Sequence, residues 1–188
     1  MKIKMTLLSD AIFGNGISVP GEEDISVQID ENGFPYYKGG TFKGIFREEL
    51  IRYLNFTGEA NADEKADAML GFGGNDTATE QLVFSDFTLS PWVREQVLAE
   101  FGAAGGADIR DAMTHIRTFT KMNENGMVAE GSLRMARCVN KGLVFYSEIT
   151  GIHEEDQDLV KNVLGLIKWI GTMRNRGFGK VRIEEVSA

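Results

Sequence analysis

LVFYSEITGIHEEDQDLVKNVLGLIKWIGTMRNRGFGKVRIEEV, residues 143–186, runs through a strand, a helix, a glycine-rich loop and a last strand. Leu143 to Ile152 is dense in β-branched and aromatic residues and reads as a strand. Asp156 to Ile170 places Leu159, Val160, Val163, Leu164, Ile167 and Ile170 at helical spacing, so one face turns inward. Val181 to Val186 is extended. Between helix and strand lies GTMRNRGFGK, Gly171 to Lys180, where Gly171, Gly177 and Gly179 are interleaved with Arg174, Arg176, Phe178 and Lys180. Glycine admits positive φ and close approach of a partner. Successive N–H groups in such a turn form a concave anion site. Arginine and lysine suit phosphates. The loop therefore points to a nucleic-acid backbone as ligand. Phe178 either stacks on a base or fills the core, and the core is the commoner fate.

Outward from this unit, Lys2 to Leu8 alternates polar and apolar residues as a half-buried strand does. A long loop, Asp10 to Gly40, follows, with a short extended stretch at Ile25 to Ile29. Thr41 to Leu54 carries Phe42, Ile45, Phe46, Leu50, Tyr53 and Leu54 at helical spacing, with Thr41 as its expected N-cap. Glu59 to Asp67 is acidic and expected to be exposed, and Gly71 to Asp76 is a turn. Gln81 to Leu89 reads as a strand, and Pro91 to Phe101 as a short helix with proline at its first position. Gly102 to Gly106 breaks that helix, and Thr114–Met122 and Met127–Arg137 form two hairpin arms around an Asn-Glu-Asn-Gly tip. Without residues 90–142 the order is strand, helix, strand, strand, helix, strand, the ferredoxin-like α+β arrangement. The chain thus reads as one domain, 1–188, an antiparallel sheet with two helices on one face and an insertion at 90–142. The free face of such a sheet is the one RNA-recognition modules use.

Composition narrows the classes. No apolar run approaches the roughly 20 residues of a membrane span. One cysteine, Cys138, excludes a disulfide framework within the chain and fits a cytoplasmic setting; with two histidines beside it, no zinc cluster is visible. Cys138 itself reads as a plain buried thiol. The net charge of −8 is unevenly spread: residues 38–47 hold +3, 110–141 hold +3 and 168–182 hold +5, which leaves −19 elsewhere. Recognition follows local fields more than the total. The expectation is that Lys43, Arg174 and Lys180 share one face.

The ordered set FPYYKGGTFKGIFREEL (34–50), LGFGGND (70–76), the hairpin 114–138 and the glycine loop 171–179 resembles the RAMP superfamily of CRISPR-associated proteins. The resemblance is greatest to the backbone subunit of type III RNA-targeting effectors. It implies a ferredoxin-like (RRM-like) core with an inserted thumb hairpin. It implies guide RNA and target RNA as partners, together with copies of the same chain and other CRISPR effector subunits, in antiviral defence and without a membrane. In such proteins the thumb separates guide from target at intervals and a loop aspartate cuts the target nearby. By position Asp24 matches that aspartate. The family's usual hydrophobic-Asp-Ser-Pro-Val is here Glu23-Asp24-Ile25-Ser26-Val27, and Asp10 and Asp30 are the other loop acids open to the role.

A carboxylate serves RNA cleavage by acting as general base on a 2′-hydroxyl or by holding Mg2+ or another divalent cation. Gly39, Gly40, Thr41, Lys43 and Arg47 open the first long helix and are expected to hold guide phosphates. Arg174, Arg176, Gly177, Gly179 and Lys180 are the second expected RNA contact. In the thumb, Phe119, Met122, Met127 and Val128 are candidates to wedge against bases. Arg117, Lys121, Arg134 and Arg137 are expected to line the strand backbone. Other readings are a purely structural RNA-binding subunit, a guide-processing endoribonuclease of the same superfamily, and a ferredoxin-like protein that binds no nucleic acid. His115 and His153 lie outside the first half of the chain, where the processing enzymes commonly carry their catalytic histidine, which ranks that class lower.

Overall fold

A computed structural model describes residues 1–18, 23–71, 81–102, 105–120, 124–127 and 132–186. The turn at Gly71–Asp76 lies, after its first residue, outside the described residues, as do Lys121, Met122 and Val128.

Four strand positions build the main sheet. β1 (Lys2–Leu7) is central, flanked by β6 (Val144–Thr150) and β7 (Val181–Glu185), and β2 (Val83–Phe84) and β3 (Thr88–Leu89) pair β6 on its far side. All of these pairings are antiparallel, with Met5 opposite both Phe145 and Ile183. The stretch Gln81–Leu89, expected as one strand, is two short ones. The interruption at Ser85–Asp86 has a structural use: Ser85 Oγ accepts from the Glu148 amide at 2.8 Å, and Asp86 Oδ1 accepts from the Gly39 amide at 2.8 Å. The order β2/β3–β6–β1–β7, with α1 (Gly39–Thr57) and α5 (Gln157–Leu166) on one face, is the ferredoxin-like arrangement.

Alternation explains which face is covered. Ile3, Met5, Leu7, Phe145 and Ile149 are buried under the helices. Lys2, Tyr146, Glu148, Thr150 and Arg182 point the other way and are exposed. That second face mixes acids with bases, and Lys4 pairs with Glu184 at 3.5 Å.

α1 adheres through phenylalanines. Phe42 lies 4.6 Å from the Phe87 ring and 5.5 Å from Phe84, and Phe46 lies 5.1 Å from Phe84. Such tilted pairs add to the area they bury. The helix starts two residues before Thr41, which is exposed and not the cap; the end residue is Lys38, without a side-chain cap. Gly39 is required by packing, because a Cβ there would stand 2.1 Å from the Phe84 carbonyl oxygen.

Two helices were not anticipated, one in the acidic stretch and one just before the hairpin, whereas the helix at Pro91–Phe101 was. The acidic stretch folds as α2 (Ala62–Leu70), which keeps its acids outside and buries Ala62, Ala66 and Leu70 against α1. α3 (Pro91–Phe101) has Pro91 at its start and Ser90 Oγ accepting from the Val93 amide at 3.3 Å. α4 (Gly106–Met113) follows, burying Ile109 and Met113. It leads into the hairpin of β4 (Thr114–Phe119) and β5 (Arg134–Val139), registered from Thr114 opposite Val139 to Phe119 opposite Arg134. The loop after β1 lies along β5: Ala11 bridges Val139, and Ile25 bridges Ala136.

Cys138 sits at this junction, fully buried. Burial, with Asp10 beside it, pushes its thiol up to about 12. The thiolate is the reactive form. Native protein at pH 8 is therefore expected to resist alkylation at Cys138, with labelling at the rate of global unfolding. Rapid labelling of folded protein would contradict this packing.

Candidate nucleic-acid interface

The glycine loop and the root of the hairpin form one site. Gly179, at φ 75°, donates its amide to the Asp10 carbonyl at 2.7 Å, and a Cβ there would stand 1.9 Å from the Ile170 carbonyl oxygen. Only glycine fits. Thr172 donates to the Ile12 carbonyl at 3.1 Å, so both ends of the loop are tied to the segment after β1. Between them Met173 takes a left-handed conformation at φ 56°, and Arg174–Arg176 forms a right-handed turn closed by Gly177 at φ 87°. Among the described residues, the amides of Met173, Arg174 and Asn175 have no partner. A left-handed residue followed by a right-handed turn curls such amides into an anion-binding concavity.

Side chains join this loop to the hairpin in an alternating stack. The Arg176 guanidinium lies 5.8 Å from the Phe119 ring, Phe119 meets Phe178 edge-on at 5.6 Å, and the Arg117 guanidinium lies 5.4 Å from Phe178. Phe178 is buried, so it belongs to the core, and Phe119 is half-buried against it. Phe119 thus anchors the hairpin root and does not stand at its tip, where Met127 is exposed. Arg134 is exposed on β5. Arg174 and Arg176 are exposed and, among the described residues, form no ion pair. Lys180 lies 6.0 Å from the Trp169 ring.

Asp10 fixes the angle of hairpin to sheet. Its Oδ1 accepts from the Lys141 amide at 3.0 Å, while Oδ2 lies 3.5 Å from both His115 Nε2 and Arg117 Nη1. His115 Nδ1 is 2.7 Å from Asn140 Oδ1. These contacts make Asp10 a joint. Asp30 is likewise structural: Oδ1 accepts from the Asn32 and Phe34 amides, and Oδ2 pairs with Arg94 at 2.7 Å.

Asp24 is exposed, and its carboxylate is held in place. Its amide donates to the Met135 carbonyl at 2.8 Å, and Oδ2 accepts from the Met135 amide at 2.7 Å. The candidate aspartate therefore rides on β5 of the hairpin. Among the described residues no group of three or more histidine, cysteine, aspartate or glutamate side chains that could hold a metal ion is formed.

Three expected contacts lie elsewhere. Arg137 does not line a strand: it is buried, with Nε 2.5 Å from Glu23 Oε2, and Nη1 2.9 Å from Asp111 Oδ1 and 3.1 Å from Thr114 Oγ1. Its charge is consumed by Glu23, which is also buried. Asp111, at the exposed end, is held below the ordinary carboxylate range by Arg110 and Arg137. Arg47 is engaged by Asp67 of α2. Gly39 is turned inward to Asp86. Lys43 lies one helical turn before Arg47, on the α2-facing flank of α1. The other flank, with Glu49, Tyr53 and Phe56, faces Arg174. Arg117, Arg174, Arg176 and Lys180 gather at the hairpin root, and Lys43, with exposed Gly40 and Thr41, stands at the start of α1.

The RAMP superfamily model matches residues 4–182, and the chain belongs to that superfamily. Its fold is similar to a chain of the type III-B Cmr-beta complex bound to cognate target RNA, at 14% identity and a TM-score of 0.72, with 97% of this chain and 95% of that one covered. A chain from the same complex in its apo state gives 14% identity, a TM-score of 0.71 and the same coverage. No curated protein matches in sequence. Among the described residues no helix is long and apolar enough to cross a membrane.

Proposed function

We propose that this chain is an RNA-binding subunit of a type III CRISPR effector complex, holding the backbone of a guide RNA and repeating along it with copies of itself. The observation that carries this reading is the glycine loop. Unpaired Arg174 and Arg176 flank the unpartnered amides of residues 173–175, beside the root of a protruding hairpin. A net-negative molecule that leaves these donors open offers them to an anion, and single-stranded RNA presents phosphates in series. Superfamily membership and the fold shared with chains of an RNA-bound effector support the same conclusion. Gly40, Thr41 and Lys43 form a second, smaller contact, so Lys43→Glu is expected to weaken RNA binding less than a change in the loop does.

Asp24 is the residue we assign to target cleavage. Held against β5, it reaches RNA that the hairpin displaces and accepts the proton of a 2′-hydroxyl as that oxygen attacks its own phosphate; a 2′,3′-cyclic phosphate forms, the bond from phosphorus to the next nucleotide's 5′-oxygen breaks, and that oxygen takes a proton from water. Asp24→Ala in the assembled complex is expected to lower target cutting by about 100-fold or more, within the usual span for a general base. RNA affinity should remain intact. Unchanged cutting would leave the chain a non-cleaving structural subunit.

A further inference from the structure

A groove of about 880 Å³ opens between the second half of α1 and the segment from α5 to the glycine loop. Its size falls within the roughly 300–1,000 Å³ of small-molecule sites. Three large apolar side chains line it, with Phe56 89% exposed, Leu166 45% and Trp169 37%. Arg174 and Lys168 stand at the same groove. Lys168 is folded back onto the Gly165 carbonyl, and Trp169 has Lys180 over its ring. Two acids are present. Glu49 is taken by Arg52 at 2.5 Å, which leaves Glu48.

We propose that this groove receives an unstacked base of single-stranded RNA, which stacks on Trp169 or Phe56 while the adjoining phosphate meets Arg174. The inference rests on the RNA reading above and deepens it. Arg174 belongs both to the groove and to the phosphate-binding loop, so a strand held by the loop passes the mouth of the groove. Aromatic faces beside cations are what binders of single strands use, and stacking is indifferent to sequence. A remaining carboxylate repels phosphate and carboxylate alike but accepts from the amino edge of a base, which favours a nucleotide over an acidic peptide.

The chain has two tryptophans, Trp92 on α3 and Trp169 in the groove, so Trp92→Phe leaves Trp169 as the sole indole reporter. The probes are a single-stranded 12-nucleotide RNA and a counterpart of the same phosphate number with abasic sugars, each titrated at two salt concentrations. The base-bearing RNA is expected to quench Trp169 and the abasic one not. Phe56→Ala, at an exposed position, is expected to weaken the base-bearing RNA about tenfold and leave the abasic one unchanged. If RNA binds without quenching and Phe56→Ala changes nothing, the groove proposal is overturned while the phosphate reading stands. If neither RNA binds, the phosphate reading itself fails. Loss of self-association on sedimentation of Phe56→Ala, with RNA affinity intact, would make the groove a protein contact and also overturn the proposal.

Discussion

Arg137→Met is expected to remove about 3–5 kcal/mol of folding stability, because it leaves Glu23 buried and unpaired. The network closes three residues on one guanidinium: Glu23 from the loop after β1, and Asp111 and Thr114 at the passage from α4 into β4. Taking a charge from water is expensive, and only the partner compensates for it. Replacing both members at once should cost far less, since apolar side chains of similar volume often substitute for a buried pair without loss. The double variant Glu23→Met/Arg137→Met is therefore expected to recover most of the stability lost by Arg137→Met alone. Urea unfolding of the wild type, both single variants and the double gives the coupling energy directly. Equal and additive single losses would show that the pair is not coupled. The network also sets the position of Asp24, one residue after Glu23, so the single variant should disturb any target cutting along with the fold.

Arg174→Glu/Arg176→Glu has the largest effect expected on binding. A hydrogen bond to a charged group contributes about 1.5–3 kcal/mol, so losing two lowers RNA affinity by about 100-fold or more near 0.1 M salt. The slope of log affinity against log salt should become shallower by about 1.4, the single-strand value for two phosphates released. Both side chains are exposed and form no ion pair among the described residues, so stability should fall only by the exposed contact of Arg176 with the Phe119 ring, about 0.5–1 kcal/mol. A fall in affinity with an unaltered slope would point to a misfolded loop instead of lost phosphate contacts.

The elements with strong periodicity were legible in the chain: β1, β6, β7, α1 and α5 follow the alternation and the helical spacing, and Pro91 marks the start of α3. The hairpin was legible from its two arms and polar tip. α2 was missed because its acids drew the reading outward, although Ala62, Ala66 and Leu70 already held the spacing of a buried stripe. The split of Gln81–Leu89 into β2 and β3 depends on Asp86 capping Gly39, a contact across 47 positions that no local pattern shows.

The site was legible only in part. Glycines and bases marked the loop, since both are read locally. Which bases remain free depends on distant partners: Asp67 takes Arg47 and Glu23 takes Arg137. Glu23 and Asp24 look alike in sequence, yet one is buried in an ion pair and the other is exposed on a β5 amide. Met173 carries a positive φ without being glycine, so its neighbours alone did not announce the curl of free amides.

Ultraviolet cross-linking of the full chain to a single-stranded RNA, with the joined peptides identified by mass spectrometry, tests most directly where RNA lies. Cross-links are expected within residues 171–180 and 114–119, and at Trp169. Cross-links confined to the open sheet face, at Tyr146 and its neighbours on β1 and β7, would contradict the assignment of the glycine loop as the RNA grip.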